Sequence, residues 1–272
     1  MRTSDVLSEM CNKDAVFEEL LRNPPALHEY SRNKVIPTKA GLVDGTYTNS
    51  WKLSNEDLRF IRKHVGPNSY TIETGAGCST IVFALMGCHH TVIAPDNALF
   101  NRIVDYCAGH GIGRDQVNFE CKCSEDVLPG CWTDLYDLAL IDGRHGFPQP
   151  FFDWYYLSQM LKIGGYLILD DLHLYGSEIL FNFMLNHPSW VLDHECLGSA
   201  TFKKIGDVNP YEEICNQPFM KFNSRQEVMV AKLRYLKGLI ARHNWSLLMH
   251  VMKLGFQSVL CGRFGERPNI RR

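Results

Sequence analysis

The chain has 272 residues, 45% of them hydrophobic and 21% charged, with a formal net charge of −2. This is ordinary globular composition, long enough for one α/β domain with added helices, so it excludes a disordered chain and gives no global attraction to nucleic acid. Asp5, Glu9, Asp14, Glu18 and Glu19 interrupt any apolar leader core, and no run approaches the roughly 20 apolar residues a membrane span needs.

Residues 1–66 read as an N-terminal helical cap. Val6, Leu7 and Met10, then Val16, Phe17, Leu20 and Leu21, recur at helical spacing until Pro24-Pro25 stops the pattern. The polar, turn-rich stretch from Gly41 to Asn49 reads as a loop. Ser54-Asn55-Glu56-Asp57 then opens a second helix with a capping-box-like start, carrying Leu58, Ile61 and Val65 on one face.

Residues 67–206 alternate apolar runs with helical stretches. Tyr70–Ile72, Thr91–Ala94, Val117–Phe119, Leu138–Ile141 and Tyr166–Leu169 read as strands; Ser79–Met86, Ala98–Ala108, Phe151–Leu161 and Tyr175–Leu185 read as helices. That rhythm predicts a mostly parallel sheet covered on both faces. Trp190–Glu195 and Thr201–Ile205 follow with only Leu197-Gly198-Ser199 between them, which leaves no room for a helix and predicts an antiparallel hairpin.

Residues 207–272 form a basic helical extension within one compact unit, with helices from about Arg225 to Phe256. From Phe219 onward there are eleven Lys or Arg against Glu227 and Glu266. Val228, Leu233, Leu236 and Ile240, then Trp245, Leu248, Met249, Met252 and Phe256, make an apolar stripe. The extension reads as a packed cap or dimer arm, ahead of a membrane-surface helix or a site for an anionic partner.

The first strand runs into Glu73-Thr74-Gly75-Ala76-Gly77, and a helix follows. Gly75 and Gly77 permit a tight turn and close approach of backbone to an adenosine-bearing cofactor. Glu73 is placed to meet a positively charged group, and Ser79 and Thr80 offer hydroxyls at the helix start. The segment lacks the third glycine of a dinucleotide fingerprint. Asp96, two residues beyond Ala94, either reaches a ribose or caps the next helix. Ser124, after the third strand, stands where adenine contacts fall in such sheets.

Two neighbouring strand ends carry the acidic residues: Asp142 with His145 after the fourth, and Asp170-Asp171 after the fifth. Three converging carboxylates make a hard oxygen site suited to Mg²⁺, and such an ion lowers the pKa of a bound hydroxyl. His145 is suited to take the proton. The alternative for Asp171 is a cap on the helix beginning near His173. The stretch from Phe147 to Trp154 either walls an acceptor pocket or packs on the sheet, the second being the simpler reading.

Five parallel strands closed by a hairpin resemble the seven-stranded Rossmann-like sheet of class I methyltransferases, which favours S-adenosylmethionine (SAM) over NAD. The segments Glu73–Thr80, Ile141–His145 and Leu161–Gly165 through Asp171 resemble the methyltransferase-24 family of macrocin-type sugar O-methyltransferases. The SAM site is expected at Glu73, Thr74, Gly75, Gly77, Ser79, Thr80, Asp96, Ser124 and Asp142. The resemblance implies a magnesium site at Asp142, Asp170 and Asp171, with His145 and Asp142 catalytic. Ala94 at the usual ribose-acid position and the basic extension depart from the family pattern.

The expected activity is therefore methyl transfer from SAM to a hydroxyl of a small molecule, assisted by a divalent metal. The alternatives are a metal-independent methyltransferase and an inactive SAM-binding interaction module. No nucleic-acid partner is expected, and the added helices suit a homo-oligomer. Ten cysteines scattered through a chain with an adequate core fit a reducing cytoplasm better than a disulfide framework. Cys78, Cys88, Cys107 and Cys196 read as small core residues, and Cys121, Cys123 and Cys131 are poorly spaced for zinc.

Overall fold

The structure is a computed structural model, and it describes residues 3–31, 46–131, 135–209, 211–213 and 216–250. The chain divides into two compact units, Met1–Pro210 and Tyr211–Arg272. The expected single compact unit is thus two, and the helices before residue 67 belong with the sheet.

The larger unit opens with α1 (Thr3–Arg22), β1 (His28–Ser31), β2 (Thr46–Asn49) and α2 (Asn55–His64). β1 and β2 pair antiparallel, His28 opposite Asn49. They correct the all-helical reading of this region and the loop expected up to Asn49. His-Glu-Tyr-Ser and Thr-Tyr-Thr-Asn are too short and polar to show a strand's alternation. α2 begins as expected: Ser54 caps it, its Oγ accepting from the Asp57 amide.

The sheet elements follow: β3 (Tyr70–Thr74), α3 (Cys78–Met86), β4 (His89–Ile93), α4 (Asn97–Gly109), β5 (Val117–Glu120), α5 (Ser124–Val127), β6 (Tyr136–Ile141), α6 (Gln149–Met160), β7 (Leu161–Leu169), α7 (Tyr175–Leu185), β8 (Trp190–Cys196) and β9 (Ser199–Lys204). The order is β5-β4-β3-β6-β7-β9-β8. Five strands are parallel, and β9 runs antiparallel to both β7 and β8. This is the seven-stranded Rossmann-like sheet with the terminal hairpin read from the sequence.

Central strands buried on both faces need continuous apolar runs, and Ile72, Leu138, Leu140, Leu167 and Ile168 supply them. Phe17, Leu20, Leu58, Ile61, Ile81 and Phe83 pack with Leu138, Leu140 and Ile168 in one cluster, which places α1, α2 and α3 on a common core. β7 starts five residues earlier than the apolar run suggests. Its first half is irregular, with Gly164 at φ +90° and a register shift against β6 between Tyr136 and Leu138.

In the second unit, α8 spans Pro218–Ala241 and residues 245–250 form another helical turn. Leu239 and Leu248 are buried, whereas Leu233, Ile240, Trp245 and Met249 of the expected stripe are exposed. Met252 and Phe256 lie outside the described residues. Among the described residues no helix is long and apolar enough to cross a membrane.

Candidate functional site

The C-terminal ends of β4, β3, β6 and β7 line up along one edge of the sheet. Gly75 N donates to Ile93 O (2.9 Å), Asp142 N to Thr74 O (2.9 Å) and Asp170 N to Ile141 O (3.0 Å). The backbone ladder itself therefore sets the glycine turn beside Asp142 and Asp142 beside Asp170. This is the ligand-binding edge of an open parallel sheet.

Gly75 has φ +93°, and a β-carbon there would lie 2.1 Å from the Asp142 carbonyl oxygen. The turn thus needs glycine because the protein's own backbone approaches it. A β-carbon on Gly77 would sit 3.3 Å from His28 Nε2, so β1 lies over the second glycine. His28 stacks on Trp51, with ring centroids 5.8 Å apart. Arg102 of α4 donates to the Leu27 carbonyl and stands 3.6 Å from Glu29 and 3.9 Å from Asp96. Sequence reasoning missed this arrangement, since nothing local links His28 to a turn so far along the chain.

Glu73, Ser79 and Thr80, expected to face a ligand, are engaged with one another. Glu73 is fully buried and accepts from Ser79 Oγ (2.6 Å) and from Thr80 Oγ1, with His90 Nε2 3.1 Å away. Thr80 Oγ1 in turn accepts from Gly77 N at 3.0 Å. A buried carboxylate must be paired, and here its partners are the hydroxyls that hold the turn's exit into α3. These three residues shape the turn from beneath. Thr74 is buried too and presents no side chain to the edge.

Asp96 caps α4, its Oδ1 accepting from Leu99 N at 2.9 Å. Of the two readings left open, capping is the one the geometry displays. Ser124 Oγ donates to Asp153 Oδ1 and accepts from Gln149 Nε2, both at 2.7 Å. Its hydroxyl is thereby engaged with α6 rather than turned to a ligand.

The acidic cluster is assembled, with altered membership. His145 Nε2 lies 3.0 Å from Asp171 Oδ2, and His173 Nδ1 lies 3.6 Å from Asp171 Oδ1. Donor atoms of Asp142, His145 and Asp171 all lie within 4.8 Å of one another. Asp170, also expected in the metal set, is not one of these three, and its carboxylate acts on that of Asp142. Asp171 has φ +55°, a conformation that costs energy without glycine. It does not cap α7, whose N-cap is Leu174 with no side-chain hydrogen bond.

The charges explain the protonation pattern. Burial, then the Asp170, Asp171 and Glu73 carboxylates, push Asp142 well above the usual carboxylate range. Burial raises Asp170 to about 6, with Asp171 adding to it. The hydrogen bond from His145 holds Asp171 below its ordinary value. A cation among these groups relieves the repulsion, so the donor set fits a small hard ion.

Of the aromatic stretch after His145, Trp154 is buried edge-on to Phe183 of α7, with centroids 5.1 Å apart. Phe147 is 77% exposed and is free to border a ligand.

No family model matches the chain, and no curated protein does. Among solved structures it is similar to cofactor-bound Rv0187 from MTB, with 15% identity, a TM-score of 0.49, and coverage of 57% of this chain and 82% of that one. It is also similar to the O-methyltransferase TomG from Streptomyces achromogenes in complex with SAM, with 13% identity, a TM-score of 0.47, and coverage of 57% and 82%. An rRNA methylase from Streptococcus thermophilus matches with 13% identity, a TM-score of 0.43, and coverage of 56% and 95%.

Proposed function

We propose that this chain is a SAM-dependent O-methyltransferase acting on a hydroxyl of a small molecule. The observation that carries the reading is the contact of Gly75 with the Asp142 backbone, which sets a cofactor-type turn directly beside the acidic cluster. A donor bound along this edge, beside the Gly75 turn, has its methyl group next to Asp142, His145 and Asp171. Asp96 stays at the rim as the acid nearest a ribose, and Ser124 borders the adenine end through its backbone.

Asp142 and Asp171 would supply oxygen ligands to a divalent cation such as Mg²⁺, which would lend Lewis acidity to an acceptor hydroxyl and leave His145 to take the proton. The chain's own residues do the rest. Asp171 orients the His145 ring, and the acceptor proton passes to that pair as the oxygen attacks. The new O–C bond forms as the C–S bond breaks, and the sulfur keeps the electron pair and loses its positive charge. The 3.0 Å His145–Asp171 pairing also favours a second reading, in which this pair alone activates the acceptor without metal.

The test measures binding of S-adenosylhomocysteine by calorimetry, and transfer of labelled methyl from SAM to a panel of hydroxylated compounds. Asp142→Asn is expected to remove turnover while leaving product affinity nearly unchanged. Loss of activity on chelation, restored by Mg²⁺, supports the metal; chelator-resistant turnover supports the His145–Asp171 pair alone. Absence of S-adenosylhomocysteine binding overturns the donor assignment. Binding without turnover on any acceptor favours an interaction module.

A further inference from the structure

A second group of metal-type donors lies outside the acidic cluster. Asp57, in the first turn of α2, is fully buried. Its Oδ2 accepts from Ser54 Oγ at 2.7 Å and from Ser199 Oγ at 2.5 Å. Its Oδ1 has no hydrogen-bond partner among the described residues. A wholly buried carboxylate oxygen left unpaired is costly, so something belongs against it.

What faces it is His194 Nε2, at 3.6 Å. That separation is too long for a hydrogen bond. The other ring nitrogen, Nδ1, lies 3.3 Å from Asp193 Oδ2. A proton on Nδ1, directed at that carboxylate, leaves a lone pair on Nε2, the arrangement usual for a metal-bound histidine. Thr201 Oγ1 lies 3.5 Å from the same Nε2, the outer limit of a hydrogen bond. Packing against Phe60, with centroids 4.8 Å apart, fixes the ring plane.

Cys196 completes the group. His194 and Cys196 are two apart on β8 and so share a face, and His194 meets Asp57 and Phe60 of α2. Donor atoms of Asp57, His194 and Cys196 all lie within 4.8 Å of one another. Ligands placed about 2.1 Å from a tetrahedral zinc stand about 3.4 Å apart, close to the observed Asp57–His194 gap. A thiol, an imidazole and a carboxylate select zinc over magnesium. Cys196 is half-buried, not the small core residue its sequence context suggests.

We propose that Asp57 Oδ1, His194 Nε2 and Cys196 Sγ form a zinc site joining α2 to the terminal hairpin. His194 is 27% exposed, which gives the ion a way in from solvent. The site shares no residue with the magnesium-type cluster, although the Asp57 carboxylate acts on Asp170 beside it, and it does not depend on the methyltransferase reading.

The experiment adds Co²⁺ to the chelator-treated full-length protein. One equivalent is expected to produce a thiolate-to-cobalt charge-transfer band that Zn²⁺ displaces and Mg²⁺ does not. The band should vanish in Cys196→Ser and His194→Gln and persist in Asp142→Asn, since neither side chain at position 142 carries sulfur. Zn²⁺ should raise the melting temperature of the unmodified protein but not of His194→Gln. Absence of the band, a band undiminished in Cys196→Ser, or an unmodified protein whose melting temperature Zn²⁺ leaves unmoved would overturn the proposal.

Discussion

Gly75 and the carbonyl of Asp142 are in such close contact that a β-carbon on Gly75 would overlap the oxygen, at 2.1 Å. Gly75→Ala therefore has to displace either the turn or the end of β6. It is expected to cost about 2 kcal/mol or more in stability, from the clash and the positive φ together. Binding of S-adenosylhomocysteine should weaken in parallel. Gly66→Ala, with nothing within 4 Å, is the control and should stay within about 0.5 kcal/mol of the parent. Denaturant titration and calorimetry on both variants provide the check.

Asp171 combines a positive φ with the contact to His145. Asp171→Gly relieves the backbone while removing the carboxylate. Turnover is expected to fall by about 100-fold or more, the scale of lost acid–base assistance. Stability should hold within about 1 kcal/mol of the parent, because relief of strain offsets the lost ion pair. A large loss of stability with activity retained would contradict the assigned role.

His187 gives a pH dependence away from the site. It is buried, burial lowers its pKa from 6.5, and its Nδ1 accepts from Ser189 N at 3.1 Å. The folded state therefore binds this proton less readily than the unfolded chain does. Its contribution is complete above pH 6.5 and is lost as pH falls below that value toward the lowered folded-state pKa. His187→Asn keeps an acceptor without the titration. Its melting temperature should decline less than the parent's on acidification, and parallel declines would count against the argument.

Lys204 is buried, and its ammonium donates to the carbonyls of Ser158 (2.8 Å) and Leu161 (2.7 Å). It thereby satisfies the C-terminal end of α6 from the last strand. Lys204→Met leaves two buried carbonyls short of a donor and should cost about 2–4 kcal/mol. Urea unfolding measures it; a loss below about 1 kcal/mol would mean that water replaces the ammonium.

The sheet was legible because its evidence is local. Val-Ile-Ala, Leu-Ala-Leu-Ile and Tyr-Leu-Ile-Leu announce buried strands, and Leu197-Gly198-Ser199 leaves room only for a turn. The edge cluster was legible for the same reason, since parallel strand ends must adjoin. The role of Glu73 was hidden because its partner His90 arrives from the neighbouring strand, and sequence separation conceals which face each residue takes. His145 looked like an unattached base until Asp171, in its unusual backbone conformation, was seen to hold it. Asp57 read as an ordinary helix-start acid, and only burial reveals that its second oxygen is unpaired.

β9 is the last strand in sequence, yet it sits between β7 and β8, and its Ser199 reaches back 142 residues to Asp57. A chain emerging from the ribosome cannot finish this unit in stages. Until β9 arrives, β7 has an open hydrogen-bonding edge and Asp57 lacks its Ser199 partner. The first-made helices thus wait on the last-made strand, and a fragment ending before residue 199 should seek other strands to pair with instead of folding as a shorter domain.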